Sequence, residues 1–206
     1  PPFQKWPLAD HGLEWIEPEL PLAHPLDGGR AAVVHRSVAE TASQLGVSRY
    51  EQLIGPTVKR WDAIAAQVLG PLVRLPRHPL SLARFGASAL MPASVVGRWL
   101  NDEAAAAMFA GCAAHAILPL TRPLTASFGT MLLASAHVGG WPVAKGGSQA
   151  IADALASLLT SLGGEIRCST PVRTLRDLPP ARAVLFDLVP RQVSSIAGDQ
   201  LSSRWR

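Results

Sequence analysis

Lys145-Gly146-Gly147, inside the run Gly140-Trp141-Pro142-Val143-Ala144-Lys145-Gly146-Gly147, are the residues of this chain whose types and spacing best suit a ligand. Paired glycines carry no side chain and let main chain come close to a bound group. The residues that follow, SQAIADALASLLTSLGGEIRCSTPVRTL, read as helix, glycine turn and strand in one unbroken unit. Ile151, Leu155, Leu158, Leu159 and Leu162 form one apolar stripe at helical spacing, and Ser148 is placed to cap its first turn. Gly163-Gly164 ends that helix. Glu165-Ile166-Arg167-Cys168-Ser169 then alternates polar and apolar as a half-buried strand does, with Pro171-Val172 at its far end.

Other chemistries find little support in the spacing. Cys112 and Cys168 fall in different expected elements without C-x-x-C spacing, so both read as buried thiols rather than metal ligands or a disulfide framework. The six histidines show neither H-x-x-x-H nor H-E-x-x-H spacing, and no serine sits in a G-x-S-x-G elbow. The net charge of +4 is modest and the basic residues are spread among apolar ones, while aromatic residues make up only 6%, so nucleic acid is not an expected partner. With 48% hydrophobic and 17% charged residues over 206 positions, the chain has the material for a sizeable core and one to two domains. Eighteen prolines and 17 glycines break it into many short elements.

The segment from Pro142 to Leu175 resembles the part of FAD-dependent oxidoreductases of the phytoene desaturase and amine oxidase type in which the chain leaves the substrate domain and re-enters the flavin domain. The order is P-x-G-G loop, helix, G-G-x-I, then V-x-x-I/L, here Pro142 to Gly147, Gly163 to Ile166, and Val172 to Leu175. The flanking text is similar to a bacterial subgroup of NAD(P)/FAD-dependent, phytoene-desaturase-like proteins, most closely from about Asn101 to Asp199. The resemblance implies that Gly146 and Gly147 pass near the flavin ring, that Lys145 faces its reducible end, and that Val172 meets the adenine through its backbone. Val189 and Pro190 are further implied neighbours of FAD. Asp187 departs from the small-residue pattern of that last turn; a buried carboxylate there would need a partner such as a backbone N–H of a helix opened by Pro190.

Such enzymes begin with a strand, a G-x-G-x-x-G turn and a helix whose N-terminus holds the pyrophosphate. That glycine pattern is missing here, and Gly28-Gly29 reads as a hairpin turn. The expectation is an internal piece of a longer flavoprotein, with the first dinucleotide unit before residue 1, the last flavin contacts after Arg206, and little FAD retained by this piece alone. Ala197-Gly198-Asp199 matches a late ribityl-binding motif only superficially and reads as the end of the Pro190 helix.

The elements arrange themselves around this reading as an α+β and α/β mixture: residues 1–144 as a substrate-binding domain, with sheet strands over about 10–36 and helices over about 37–138, and 145–206 as a partial FAD-binding domain. Strands are expected at Leu13 to Ile16, Leu20 to Ala23 and Ala31 to His35. Ser37-x-x-Glu40 and Ser48-x-x-Glu51 have capping-box form, Gly46 stops the first helix, Pro56 opens a fresh one ending near Gly70-Pro71, and further helices start at Pro79, near Pro92 and near Asp102. Ala104 to Leu120 and Leu124 to Val138 are apolar but short of the roughly 20 residues of a bilayer span, so they read as core helices. Ala183 to Phe186 is the last expected strand.

By resemblance, the intact protein takes hydride from an apolar, isoprenoid- or carotenoid-like substrate to flavin N5, with no catalytic side chain assignable in this stretch. The alternative is a non-catalytic helical module that binds an apolar ligand or a protein partner. The expected compartment is the cytoplasm. The cluster Arg74-Leu75-Pro76-Arg77-His78-Pro79-Leu80, with Arg84, suggests peripheral contact with anionic lipid.

Overall fold

The computed structural model describes residues 5–70, 75 and 77–203. The architecture is mixed, helices with two small antiparallel sheets, and the chain divides into two compact units, Pro1–Ala154 and Leu155–Arg206.

In the first unit, strand β1 (Trp15–Ile16) pairs with the much later β4 (Val143–Ala144), in the register Trp15 to Ala144 and Ile16 to Val143. Strands β2 (Leu22–Pro25) and β3 (Ala31–Val34) form a hairpin closed through Gly28 and Gly29, as the sequence suggests. β3 turns Ala32 and Val34 into the core, the period of two that one buried face requires.

Helix α1 (Val38–Leu45) starts where expected: the Ser37 hydroxyl accepts from the Glu40 N–H at 3.3 Å, and Gly46 ends the helix in the left-handed region. Helix α2 (Ser48–Lys59) has no side-chain cap, so Ser48 does not act as the expected capping residue. Pro56 lies inside α2 instead of opening a new helix. Its fixed φ suits the helix that Tyr50 and Ile54 already anchor in the core, and the break comes at Arg60 (φ −125°), after which α3 (Trp61–Val68) begins. Pro71, near the expected end of that helix, lies outside the described residues.

Helices α4 (Pro79–Ala89) and α5 (Ala93–Leu100) follow, the first with Pro79 in its opening turn. α6 (Glu103–Ala113) is capped by the Asp102 carboxylate, which accepts from the Ala105 N–H at 2.8 Å. α7 (Thr125–Gly139) crosses α6 with Gly129 against Phe109; a Cβ at Gly129 would lie 3.1 Å from the Phe109 carbonyl oxygen. The buried Thr125 hydroxyl donates to the Arg122 carbonyl at 2.7 Å and accepts from the Ala93 N–H at 2.9 Å, fastening the start of α7 to that of α5. Tyr50, Ile54, Leu100, Met108, Phe109 and Leu133 fill the core. Each such buried side chain contributes roughly 1.5–3 kcal/mol through burial. Ile64, Phe85 and Ala89 form a smaller cluster between α3 and α4. No single helix among the described residues is long and apolar enough to cross a membrane.

The last helix of the first unit, α8 (Gln149–Ser161), runs across the division between the units. Within the second unit it ends at Gly163 (φ +85°), whose N–H donates to the Thr160 carbonyl at 2.9 Å. The expected strands at 165–169 and 183–186 are absent among the described residues of this unit: Cys168 and Ser169 form a turn, with Ser169 at φ +55°, and 183–186 joins no ladder. An alternating pattern makes a strand only where a neighbour supplies the ladder hydrogen bonds. Leu185 is accordingly 94% exposed. Cys168 is exposed rather than buried, while Cys112 is buried as expected. Asp187 is exposed as well, so it is not a buried carboxylate in need of a partner. Helix α9 (Pro190–Ala197) opens on Pro190 and passes into one tight turn at Gly198–Gln200, the helix end expected there.

Candidate functional site

The loop that carries Lys145, Gly146 and Gly147 is built by the β1–β4 pair. The Lys145 N–H extends that ladder by donating to the Glu14 carbonyl at 2.9 Å, and the Gly147 N–H turns back to the Ala144 carbonyl at 3.0 Å. Gly146 and Gly147 adopt φ of +83° and +96°, where a side chain would be strained, yet a Cβ at either would meet nothing within 4 Å. The turn therefore demands glycine, and the space above its main chain is open. The Lys145 ammonium is 2.8 Å from the Glu14 carboxylate in an exposed ion pair, so its charge is shared rather than presented free. Exposed pairs of this kind contribute about 0–1 kcal/mol.

The other implied cofactor neighbours belong to the second unit. Val172 is half-buried, three residues before a 3-10 turn, Leu175–Asp177. The Asp177 carboxylate accepts from the N–H groups of Arg173 and Thr174 at 2.8 and 2.9 Å, and these bonds hold its carboxyl below the usual range. Val189 is 59% exposed, and its N–H faces Gln192 Oε1 at 3.4 Å at the start of α9; Pro190 is exposed in that first turn.

Two features of the first unit were not singled out from the sequence. The Tyr50 hydroxyl lies 2.8 Å from His137 Nε2 in the core, joining α2 to α7. His137 Nδ1 is 3.3 Å from the Arg36 carbonyl, which only accepts, so Nδ1 carries the proton and Tyr50 donates to Nε2. Burial, partly opposed by the hydrogen bond to Arg36, holds His137 below its ordinary pKa, and burial raises Tyr50 far above its own. The nearby Cys112 thiol is pushed up to about 11 by burial, which removes it as a nucleophile near neutral pH. The pair is buried and ties α2 to α7.

The second feature is a groove of about 1090 Å³ between α2, α4 and α5. Leu53, Ile64, Phe85, Met91, Val95 and Val96 line its apolar part. Trp99, 43% exposed, stands at its edge with the Arg49 guanidinium 5.8 Å above its ring. No motif marks this groove, because its residues come from helices separated along the chain.

Among the described residues no three metal-ligating side chains cluster. Of the basic cluster that suggests lipid contact, Arg74 and Pro76 lie outside the described residues, and Arg77, His78, Pro79, Leu80 and Arg84 are all exposed. No family model, no curated protein and no solved structure matches this chain.

Proposed function

We propose that this chain is part of an FAD-dependent oxidoreductase of the phytoene-desaturase-like type, in which residues 15–144 make the substrate side and the following chain returns toward the cofactor. The observation that carries the reading is the pairing of β1 with β4. The outgoing and returning strands lie side by side, so everything between them is an excursion that begins and ends at one place. A domain inserted into another requires that geometry. The fit of the return loop supports it: Gly146 and Gly147 leave open main chain directly after β4, where the flat face of a ring has room to approach.

When bound, FAD supplies the hydride acceptor and carries the electron chemistry. The part of this chain is then to bind and orient an apolar substrate and to keep water from it, which calls for no acid or base. Lys145 stands beside those glycines, where its positive charge, partly offset by the Glu14 carboxylate, would face the reducible end of the flavin. The unpaired apolar segment at 183–189, with Leu185 and Val189 exposed, suits chain that packs against further polypeptide.

The test compares the visible spectrum of this chain with that of the intact gene product, both purified with FAD present. The reading expects a flavin spectrum, bleached anaerobically by an oxidisable apolar donor, from the intact product and little from this chain. A folded intact product that stays colourless overturns it.

A further inference from the structure

The geometry points to a binding site for a single long hydrocarbon chain ending in a carboxylate, seated in the groove between α2, α4 and α5 with its head at Lys59 and Arg60. The inference concerns the first unit alone and holds with or without a flavin.

The groove has a direction. Helix α2 runs along it, carrying Ser48 and Glu51 near one end and Lys59 and Arg60 at the other. The rise of a helix separates Glu51 from Lys59 by about 12 Å. Lys59 and Arg60 also line an adjoining cleft that Asp62, Arg77 and His78 share, which adds Arg77 to that end, whereas Arg49, near the start of α2, already donates to the Trp99 carbonyl at 2.7 Å. Arg84 of α4 lines the groove as well. Against Lys59, Arg60, Arg77 and Arg84 stand the carboxylates Glu51 and Asp62, and none of these four cations forms an ion pair among the described residues. A trough with an apolar floor and a surplus of unengaged guanidinium and ammonium groups at one end complements an apolar tail with an anionic head.

Size favours a small amphiphile over a protein. The volume of about 1090 Å³ lies just above the range of roughly 300–1,000 Å³ for small-molecule pockets, as a long-chain ligand requires. A stable protein partner needs about 800 Å² of matching surface on each side, far more than one groove of this kind presents. Exposed apolar side chains border the groove where a tail would cover them: Leu80 is 86% exposed and Met91 39%.

The experiment titrates the whole 206-residue chain with cis-parinarate, a fluorescent long-chain carboxylate, and then displaces it with oleate, with oleyl alcohol, or with an acidic amphipathic peptide. Two variants accompany it. Ala87→Trp fills the groove from an exposed position on its wall, and Lys59→Gln with Arg60→Gln removes the charge at its end; both positions are exposed, and far-UV circular dichroism checks the fold. Saturable binding at one site is expected, weakened by salt, with oleate displacing the probe about tenfold more tightly than the alcohol, the weight of one charge-assisted contact. Ala87→Trp should abolish binding, and the double variant should lose about tenfold together with the preference for oleate. Absence of saturable binding, equal displacement by oleate and the alcohol, wild-type binding in folded variants, or displacement by the peptide in preference to oleate would each overturn the assignment.

Discussion

At the residue scale, the Tyr50–His137 hydrogen bond is the interaction whose loss is easiest to read. Tyr50→Phe keeps the ring but leaves His137 Nε2 buried without a donor. The expected cost is about 1–3 kcal/mol of stability, the desolvation of an unpaired buried group, measured as a lower denaturant midpoint. pH gives a second measurement. Because His137 is held below its ordinary value in the folded chain, the unfolded chain binds its proton first as pH falls. The stability it supports is complete above its unfolded value of about 6.5 and is lost progressively as pH drops from there toward the folded value. His35 and Arg36 lie beside it and disfavour its charged form further. Denaturant unfolding at pH 7.5 and at pH 5 should show that loss, and His137→Gln should flatten it; an unchanged slope in the variant would assign the acid sensitivity elsewhere.

At the element scale, close helix crossings set the limits. Gly129→Ala would press a methyl group against the Phe109 ring and its carbonyl oxygen, at 2.9 and 3.1 Å, where backbone cannot move aside cheaply. Overpacking of this kind costs about 1–3 kcal/mol. Gly86→Ala, in α4 with nothing within 4 Å of the added methyl, should instead stabilise by about 0.5–1 kcal/mol. Thermal melts of the two variants in parallel test whether the α6–α7 crossing is as tight as described. The helix starts were legible in the sequence because their signals are local: Ser37 and Asp102 cap with their own side chains, and Pro79 and Pro190 stand in first turns. The alternation at 165–169 and 183–186 predicts strands that the chain does not form, because alternation reports a face and not a partner. The capping-box form at Ser48 failed for a related reason. Val47, Tyr50, Leu53 and Ile54 are buried, so packing determines where α2 begins. The groove and the Tyr50–His137 pair join residues far apart in sequence, and no local pattern announces such contacts.

At the scale of the whole molecule, the two units differ in how they are held. The first has buried side chains drawn from eight helices, α1 to α8, and a hairpin, whereas the described part of the second has irregular segments that join no ladder and Ala197 as its buried residue. Segments of that kind open locally at little free-energy cost. Limited proteolysis should therefore cut between Gly163 and Leu188 first and leave a resistant product that ends near α8; early cleavage within α6 or α7 would contradict this division of stability. The reading of the chain as one side of a flavoenzyme also belongs to this scale, since it joins the β1–β4 closure to the glycines that follow it.

That reading is tested most directly by flavin content per chain in the intact gene product, measured for wild type, Gly147→Val and Gly29→Val. Gly29 and Gly147 share a positive φ and open surroundings, +73° and +96° with nothing within 4 Å of an added Cβ, so the two valines impose comparable backbone strain. If main chain at Gly147 lies against the cofactor, Gly147→Val lowers the flavin content severalfold and Gly29→Val leaves it near wild type. Equal flavin content in both folded variants would contradict the account.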